Sequence, residues 1–137
     1  MKRLADWNIH LEDYFFEHLN TPFQWGKFDC VMFVAGAMKV VTGERVIPSE
    51  LSWTSYRGAM KALRKYSDGT VKGSIAKFAS DFDRIRPISI RLGDLCIVKN
   101  EQNEDVCSIF SGRGPMVATP DGVKPTLPEL ISMAWRY

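Results

Sequence analysis

The segment from Cys30 to Val41 constrains the fold most, because Lys39 is its only charged residue. A helix that is apolar nearly all round lies in the centre of a domain, where other elements cover it. Asp29 directly before the segment is a residue type that caps helix N-termini, and Gly43 after it is typical of a C-cap. We therefore predict a buried central helix that begins at Cys30.

The segments around this helix predict further helices and then a group of strands. Apolar residues recur at helical spacing over residues 4–19, 54–66 and 74–82. After Pro87, short β-branched and aromatic runs indicate strands in "RLGDLCIVKN", "EDVCSIFSG" and "GPMVATPDGV", and "LPELISMAWRY" predicts one helical turn and a terminal strand. Helices followed by antiparallel strands predict an α+β fold in which the helices pack on a sheet.

The composition indicates one globular domain over residues 1–137. This length is usual for a single domain, and 45% apolar and 25% charged residues are ordinary proportions. A net charge of +2 gives no reason to expect nucleic acid as a partner. Three cysteines without a CxxC pair favour a reducing compartment over disulfides or a zinc site, and we expect no metal or cofactor.

The sequence predicts neither export nor a membrane span. The first residues, "MKRLADWNIH", lack the apolar core of a secretory signal. The longest apolar run, from Val31 to Met38, is much shorter than the ~20 residues that a membrane helix needs. We therefore expect synthesis in the cytoplasm.

Cys30 is the first candidate for a chemical function. A cysteine in the first turn of a helix lies at the positive end of the helix dipole and beside unpaired backbone N–H groups, and both favour the thiolate. Cysteine hydrolases use this placement, but their thiolate also needs a partner histidine. From the residues alone, Cys30 is either a catalytic nucleophile or a buried structural thiol, since free cysteine is among the most buried residue types.

The two histidines occupy different sides of the first predicted helix. His10 lies on its polar side, which predicts an exposed residue. His18 shares the apolar face with Leu11 and Tyr14 near the helix C-terminus, which predicts a packed or capping residue, with a relocated catalytic base as the alternative.

Other candidate residues also have two interpretations. The aromatic turn with Phe23, Trp25 and Gly26 either packs into the core or lines a substrate groove. Asp29 is an N-cap or a catalytic acid. A basic cluster on the predicted helix 54–66 forms a solvated face or a surface for an acidic partner, and two further cysteines are expected to pack within strands. The basic cluster consists of Arg57, Lys61, Arg64 and Lys65, and the two cysteines are Cys96 and Cys107.

Four segments together carry a family resemblance. "PFQWGKFDC" resembles the motif of the NlpC/P60 superfamily, papain-like cysteine peptidases that cut bacterial cell-wall peptides, in which an aromatic-Trp-Gly turn precedes Asp-Cys at the central helix. "RLGDLCIV" is similar to that family's Gly-Asp strand, "VCSIFSG" to its "HVGIYIG"-type strand and "MVATPDGV" to its "VHAS...GV" strand.

A second resemblance extends over the whole chain. It is to short NlpC/P60-like proteins encoded among the tail genes of phages and prophages, which share an N-terminal helix and the pattern "PFxWGxxDCxxFAA". The counterparts here are residues 22–35, Thr42-Gly43, "YRGAMKALRKY" and "MAWRY". The resemblance implies a papain-like core, with the Cys30 helix packed on a small antiparallel sheet.

The chain lacks two of the three catalytic residues that this resemblance implies. The nucleophile falls on Cys30, the base histidine on Val106 and the third polar residue on Val117. Valine can neither hold a proton nor orient an imidazole, so two of the three members are missing. A slip of one residue in this register would put Cys107 at the base position, and a thiol there does not restore a general base.

The function that these resemblances imply is non-catalytic. We expect a structural or assembly component of a phage or prophage tail, at the tail tip, made in the cytoplasm of the bacterial host and carried in the virion. Its partners would be other tail proteins. The alternatives are an active cell-wall peptide hydrolase that uses Cys30 with another base, and an adaptor that binds peptidoglycan peptide or a partner loop in the former active-site groove.

Overall fold

Four helices precede the main strands of one antiparallel sheet, which confirms the predicted α+β class. The structure is a computed structural model and describes residues 1–137. The helices are α1 (Trp7–Glu17), α2 (Cys30–Thr42), α3 (Tyr56–Tyr66) and α4 (Val71–Phe78). The strands are β1 (Asp83–Ile85), β2 (Leu95–Lys99), β3 (Asp105–Phe110), β4 (Pro115–Thr119), β5 (Gly122–Pro125) and β6 (Ile131–Arg136), with 3-10 turns at Pro87–Ser89 and Pro128–Leu130.

The sheet has the strand order β1-β6-β2-β3-β4-β5. Strands β2 to β5 follow one another as an antiparallel meander. The terminal strand β6 then returns to the other side of β2 and lies between β2 and β1. The edges of the sheet are therefore the short strands β1 and β5, and Ala134 and Trp135 of β6 pair with strands on both sides.

Helix α2 begins and ends where its caps predict. The Asp29 carboxylate accepts a hydrogen bond from the backbone N–H of Met32 at 2.9 Å, and Gly43 ends the helix in the left-handed region with φ 78°. Phe33, Ala37 and other α2 residues belong to a core cluster of 17 buried residues shared with α1 and one face of the sheet. This is the central helix that the sequence predicts.

The opposite face of the sheet carries a second, smaller cluster of five buried residues. Because side chains alternate along a strand, neighbouring residues of β3 belong to different clusters. Cys107 lies in the cluster on the helix side, and Val106 packs against the cluster on the far side. In β4, Ala118 packs on the helix side and Val117 on the far side.

The predicted helix at residues 74–82 is wrong in its bounds. The helix starts at Val71, because the Thr70 hydroxyl accepts a hydrogen bond from the backbone N–H of Gly73 at 2.9 Å and so caps it. It ends at Phe78, before the turn into β1, a charged three-residue strand that the apolar pattern did not indicate.

Two other helices are shorter than predicted. Helix α1 starts only at Trp7, because Asp6 has a left-handed backbone with φ 56°, and α3 starts after its cap Ser55.

None of the helices has the length and apolarity that a bilayer span requires.

Candidate functional site

The N-terminus of α2 opens into a groove of about 560 Å³. The groove lies between the aromatic turn, α3 and the segments at the start of β3 and the end of β4. All candidate binding residues of the sequence except Gly26 line it. The lining includes Phe23, Trp25, Asp29, Cys30, Trp53, Tyr56, Asp105, Val106 and Ala118.

Asp29 holds the aromatic turn and a later loop against the helix start. One carboxylate oxygen accepts the hydrogen bond of Met32, and the other accepts from the backbone N–H of Gly26 at 2.8 Å and from the Trp53 indole Nε1–H at 2.6 Å. The residue is 1% exposed. Its oxygens are therefore used inside the protein, and Asp29 is an N-cap and not a catalytic acid.

Gly26 allows the turn to approach this loop. Its φ of +81° is a conformation that residues with a side chain rarely adopt, and a Cβ there would overlap the backbone carbonyl oxygen of Trp53. The glycine of the Phe-x-Trp-Gly motif thus has a steric reason, which is close contact between two backbone segments beside the groove.

Phe23 and Trp25 form part of the groove wall. Their rings meet edge to face with centroids 4.8 Å apart, and Trp25 meets Tyr56 of α3 in the same way at 5.5 Å. Both are half-buried and neither belongs to the two core clusters. The two side chains therefore line the groove and lie outside both core clusters.

Cys107 is a neighbour of Cys30 and lies in the core cluster against which Cys30 packs. A hydrogen bond from Cys107 lowers the pKa of Cys30, and backbone N–H groups at the helix start act in the same direction against burial and the negative charge of Asp29. The same hydrogen bond, together with complete burial, raises the pKa of Cys107 well above its usual value. Of the two thiols, Cys30 at the helix start is therefore the one that ionises more readily.

Val106 at the start of β3 lines the groove with Cys30, whereas Val117 does not. Both pack against the cluster on the far side of the sheet, and the residues on the helix side are their successors, Cys107 and Ala118. The sequence register put the lost polar residues at Val106 and Val117, and a shift by one residue puts them at Cys107 and Ala118. In either register, no side chain of β3 or β4 supplies an imidazole to the thiolate.

The histidines lie where the sequence predicts. His10 is exposed on α1. His18 is the C-cap of α1, its ring stacks on Phe28 at 4.6 Å, and its Nδ1 is 2.9 Å from the Thr21 hydroxyl. The groups that shift the pKa of Cys30 include neither histidine. His18 is thus a packed residue at the C-cap of α1, as the sequence predicts.

We expect Cys107→Ala to raise the pH midpoint of Cys30 alkylation, because the variant removes the hydrogen bond that stabilises the Cys30 thiolate. The measurement is the rate at which iodoacetamide labels the Cys30 peptide, read by mass spectrometry at pH values between 5 and 10. This range includes about 8.5, the usual pKa of a free cysteine thiol. Cys96→Ala is the matched control, because Cys96 is buried on the far side of the sheet. Equal midpoints in all three proteins would contradict the thiol–thiol hydrogen bond.

An apolar cavity of about 80 Å³ lies between α2, α3 and α4, and Cys107 also lines it. Its wall contains one unsatisfied polar group, because Ser74 of α4 is 4% exposed and its hydroxyl has no hydrogen-bond partner. A buried polar group without a partner is unfavourable for the folded state by roughly 1–3 kcal/mol. Removing this hydroxyl should therefore stabilise the folded state.

We expect Ser74→Ala to raise the free energy of unfolding by about 1 kcal/mol, because it removes this hydroxyl and places a better helix former in α4. Urea denaturation followed by circular dichroism measures the change. Lys72→Ala, on the exposed side of the same helix, is the control, and its effect should stay within about 0.5 kcal/mol. A loss of stability in Ser74→Ala would mean that the hydroxyl has a partner, such as a bound water.

The comparisons with known proteins give a family and no function. Residues 2–137 match the sequence model of a family described as "Domain of unknown function (DUF6950)". A comparison with curated proteins found no match. Because the matched region covers nearly the whole chain, including the aromatic turn, Cys30 and all six strands, the protein belongs to the DUF6950 family.

Proposed function

We propose that this chain is a non-catalytic structural component of a phage or prophage tail, at the tail tip, built on a degenerate papain-like NlpC/P60 core. The observation that supports the loss of catalysis is the neighbour of Cys30, which is the buried thiol of Cys107 and not a histidine. The tail context comes from the end-to-end resemblance of the sequence to NlpC/P60-like tail-cluster proteins.

The site lacks the proton transfer that peptide hydrolysis requires. In a cysteine peptidase, a histidine takes the thiol proton and then gives a proton to the leaving amine. Cys107 already donates its proton to Cys30, and its burial opposes the charge that it would carry after giving that proton away. Asp29 uses its oxygens as a cap and cannot replace the base.

The surfaces available to tail partners are a basic helix face and two sheet edges. The basic cluster of α3, which consists of Arg57, Lys61, Arg64 and Lys65, is exposed, and none of its members takes part in the three ion pairs of the chain. Strands β1 and β5 are the edges of the sheet, although the backbone N–H of Val123 in β5 already donates to the carbonyl oxygen of His18. The terminal "AWRY" segment belongs to β6 and the residue after it, so it offers no free edge to a partner strand.

The test is complementation of a phage or prophage that lacks this gene. We expect the wild-type chain and Cys30→Ala to be incorporated into particles equally, as measured by mass spectrometry of purified tails. The double variant Arg57→Glu/Lys61→Glu should reduce incorporation if the basic cluster contacts an acidic tail partner. Lys27→Glu/Lys39→Glu is the matched control, because both lysines are exposed outside α3.

Two outcomes would contradict the proposal. Absence of the chain from purified tails would remove the structural role. Release of peptides from purified peptidoglycan by the wild-type chain, lost in Cys30→Ala, would favour the second candidate, an active cell-wall hydrolase. The lowered pKa of Cys30 and the aromatic groove are the observations that keep this candidate worth testing.

A further inference from the structure

We propose that Cys30 and Cys107 form a dithiol site at which a small hydroperoxide oxidises Cys30 and Cys107 then closes an intramolecular disulfide. Cys30 lies at the start of α2 and lines the groove, so small molecules in the groove can reach its sulfur. Cys107 of β3 is fully buried on the side of the sheet that α2 covers, in the core cluster against which Cys30 packs, and the two thiols are neighbours.

The surroundings give the two sulfurs different functions. Redox-active cysteines combine thiolate character, access to solvent and a neighbouring resolving cysteine. Cys30 has the first two properties, because the helix N-terminus and the thiol of Cys107 stabilise its anion beside the groove. Cys107 has no contact with solvent and is placed to attack an oxidised Cys30 sulfur.

The third cysteine is a built-in control. Cys96 of β2 is buried in the cluster on the far side of the sheet, and burial raises its pKa to about 12. It therefore has little thiolate at neutral pH and no cysteine beside it on its own face. General oxidation would consume Cys30 and Cys96 at similar rates, whereas the proposed site predicts faster oxidation of Cys30.

The proposed chemistry uses one hydroperoxide for each disulfide. The Cys30 thiol first releases its proton to solvent, and the thiolate attacks the terminal peroxide oxygen. A sulfur–oxygen bond forms, the oxygen–oxygen bond breaks, and the released alkoxide takes up the proton that Cys30 gave to solvent. Cys107 then attacks the Cys30 sulfenic acid, the sulfur–sulfur bond forms, and hydroxide leaves with the Cys107 proton as water. The dithiol has lost two electrons, and the peroxide has become one alcohol and one water.

The experiment uses the full chain, reduced with a phosphine that is then removed, and one equivalent of cumene hydroperoxide. Free thiols are blocked with N-ethylmaleimide at successive times, and non-reducing peptide mass spectrometry reads each cysteine separately. We expect a Cys30–Cys107 cross-linked peptide, with Cys30 consumed at least about ten-fold faster than Cys96. This readout uses the wild-type protein and needs no variant to fold.

Variants separate the two steps. In Cys107→Ser, a dimedone-trappable sulfenic acid should accumulate on Cys30, and in Cys30→Ser, Cys107 should stay reduced at the same dose. Cys96→Ser should form the disulfide at the wild-type rate. Equal oxidation rates for Cys30 and Cys96, or loss of the Cys30 thiol without a Cys30–Cys107 peptide in the wild-type chain, would overturn the proposal.

Discussion

Asp29→Ala is expected to lower the free energy of unfolding by about 3–5 kcal/mol. The carboxylate is buried and accepts hydrogen bonds from two backbone N–H groups, of Gly26 and Met32, and from the Trp53 indole. Alanine leaves these donors without an acceptor, and each unsatisfied buried donor is unfavourable by roughly 1–3 kcal/mol, part of which relaxation and water recover. Urea denaturation of the two proteins measures the difference.

A second cap separates the general effect of capping from the particular contacts of Asp29. Ser55 caps α3 with one exposed hydrogen bond, to the backbone N–H of Gly58 at 3.0 Å, so Ser55→Ala should cost only about 1 kcal/mol. If Asp29→Ala costs no more than Ser55→Ala, the bonds to Gly26 and Trp53 do not stabilise the fold. Trp53→Phe, which keeps the ring and removes the indole donor, should have an intermediate effect.

The features that sequence reasoning predicted correctly around this site are local ones. A helix cap needs residues only three positions apart, so Asp29 and Gly43 could be recognised without tertiary information. The α+β class followed from the order of helical and strand-like segments. The bond from Trp53 to Asp29 joins residues that are distant in sequence, and no local pattern indicated it.

The register of β3 could not be predicted because both faces of this strand are buried. Val106 and Cys107 are both apolar, and each packs against a cluster on its own side. The usual alternation of polar and apolar residues is therefore absent, and a slip of one residue moves every side chain to the other face. The signal available from sequence was the pair Cys30 and Cys107, which becomes meaningful only once α2 is placed on the sheet.

The order of the strands in the sheet also could not be predicted from local sequence patterns. The terminal strand could be recognised, but its place between β1 and β2 depends on pairing between distant segments. The buried position of Asp94 has the same origin. The "RLGD" segment is polar and typical of the residues just before a strand. Asp94 is nevertheless 0% exposed, and its side-chain partners, Arg3 and Arg136, are near the two ends of the sequence.

Asp94→Ala is expected to lower the free energy of unfolding by about 3 kcal/mol. Its carboxylate accepts from Arg136 Nη2 at 2.7 Å and Nε at 3.0 Å and from the backbone N–H of Arg91 at 2.8 Å, and Arg3 lies 3.7 Å away. Removing one member of a buried pair typically costs 3–5 kcal/mol. We expect the lower end, because the Arg136 side chain is 30% exposed and water can solvate it after the change.

The pair between Lys99 and Asp105 is the matched control for Asp94. Its atoms are 2.8 Å apart, as close as those of the Asp94 pair, but the side chains are 41% and 22% exposed. Asp105→Ala should therefore cost less than about 1 kcal/mol, and that cost should fall in high salt. The cost of Asp94→Ala should change little with salt, because Asp94 is shielded from solvent. Equal, salt-sensitive losses in the two variants would mean that Asp94 acts as a surface charge and does not tie the terminal strand to the segment before β2.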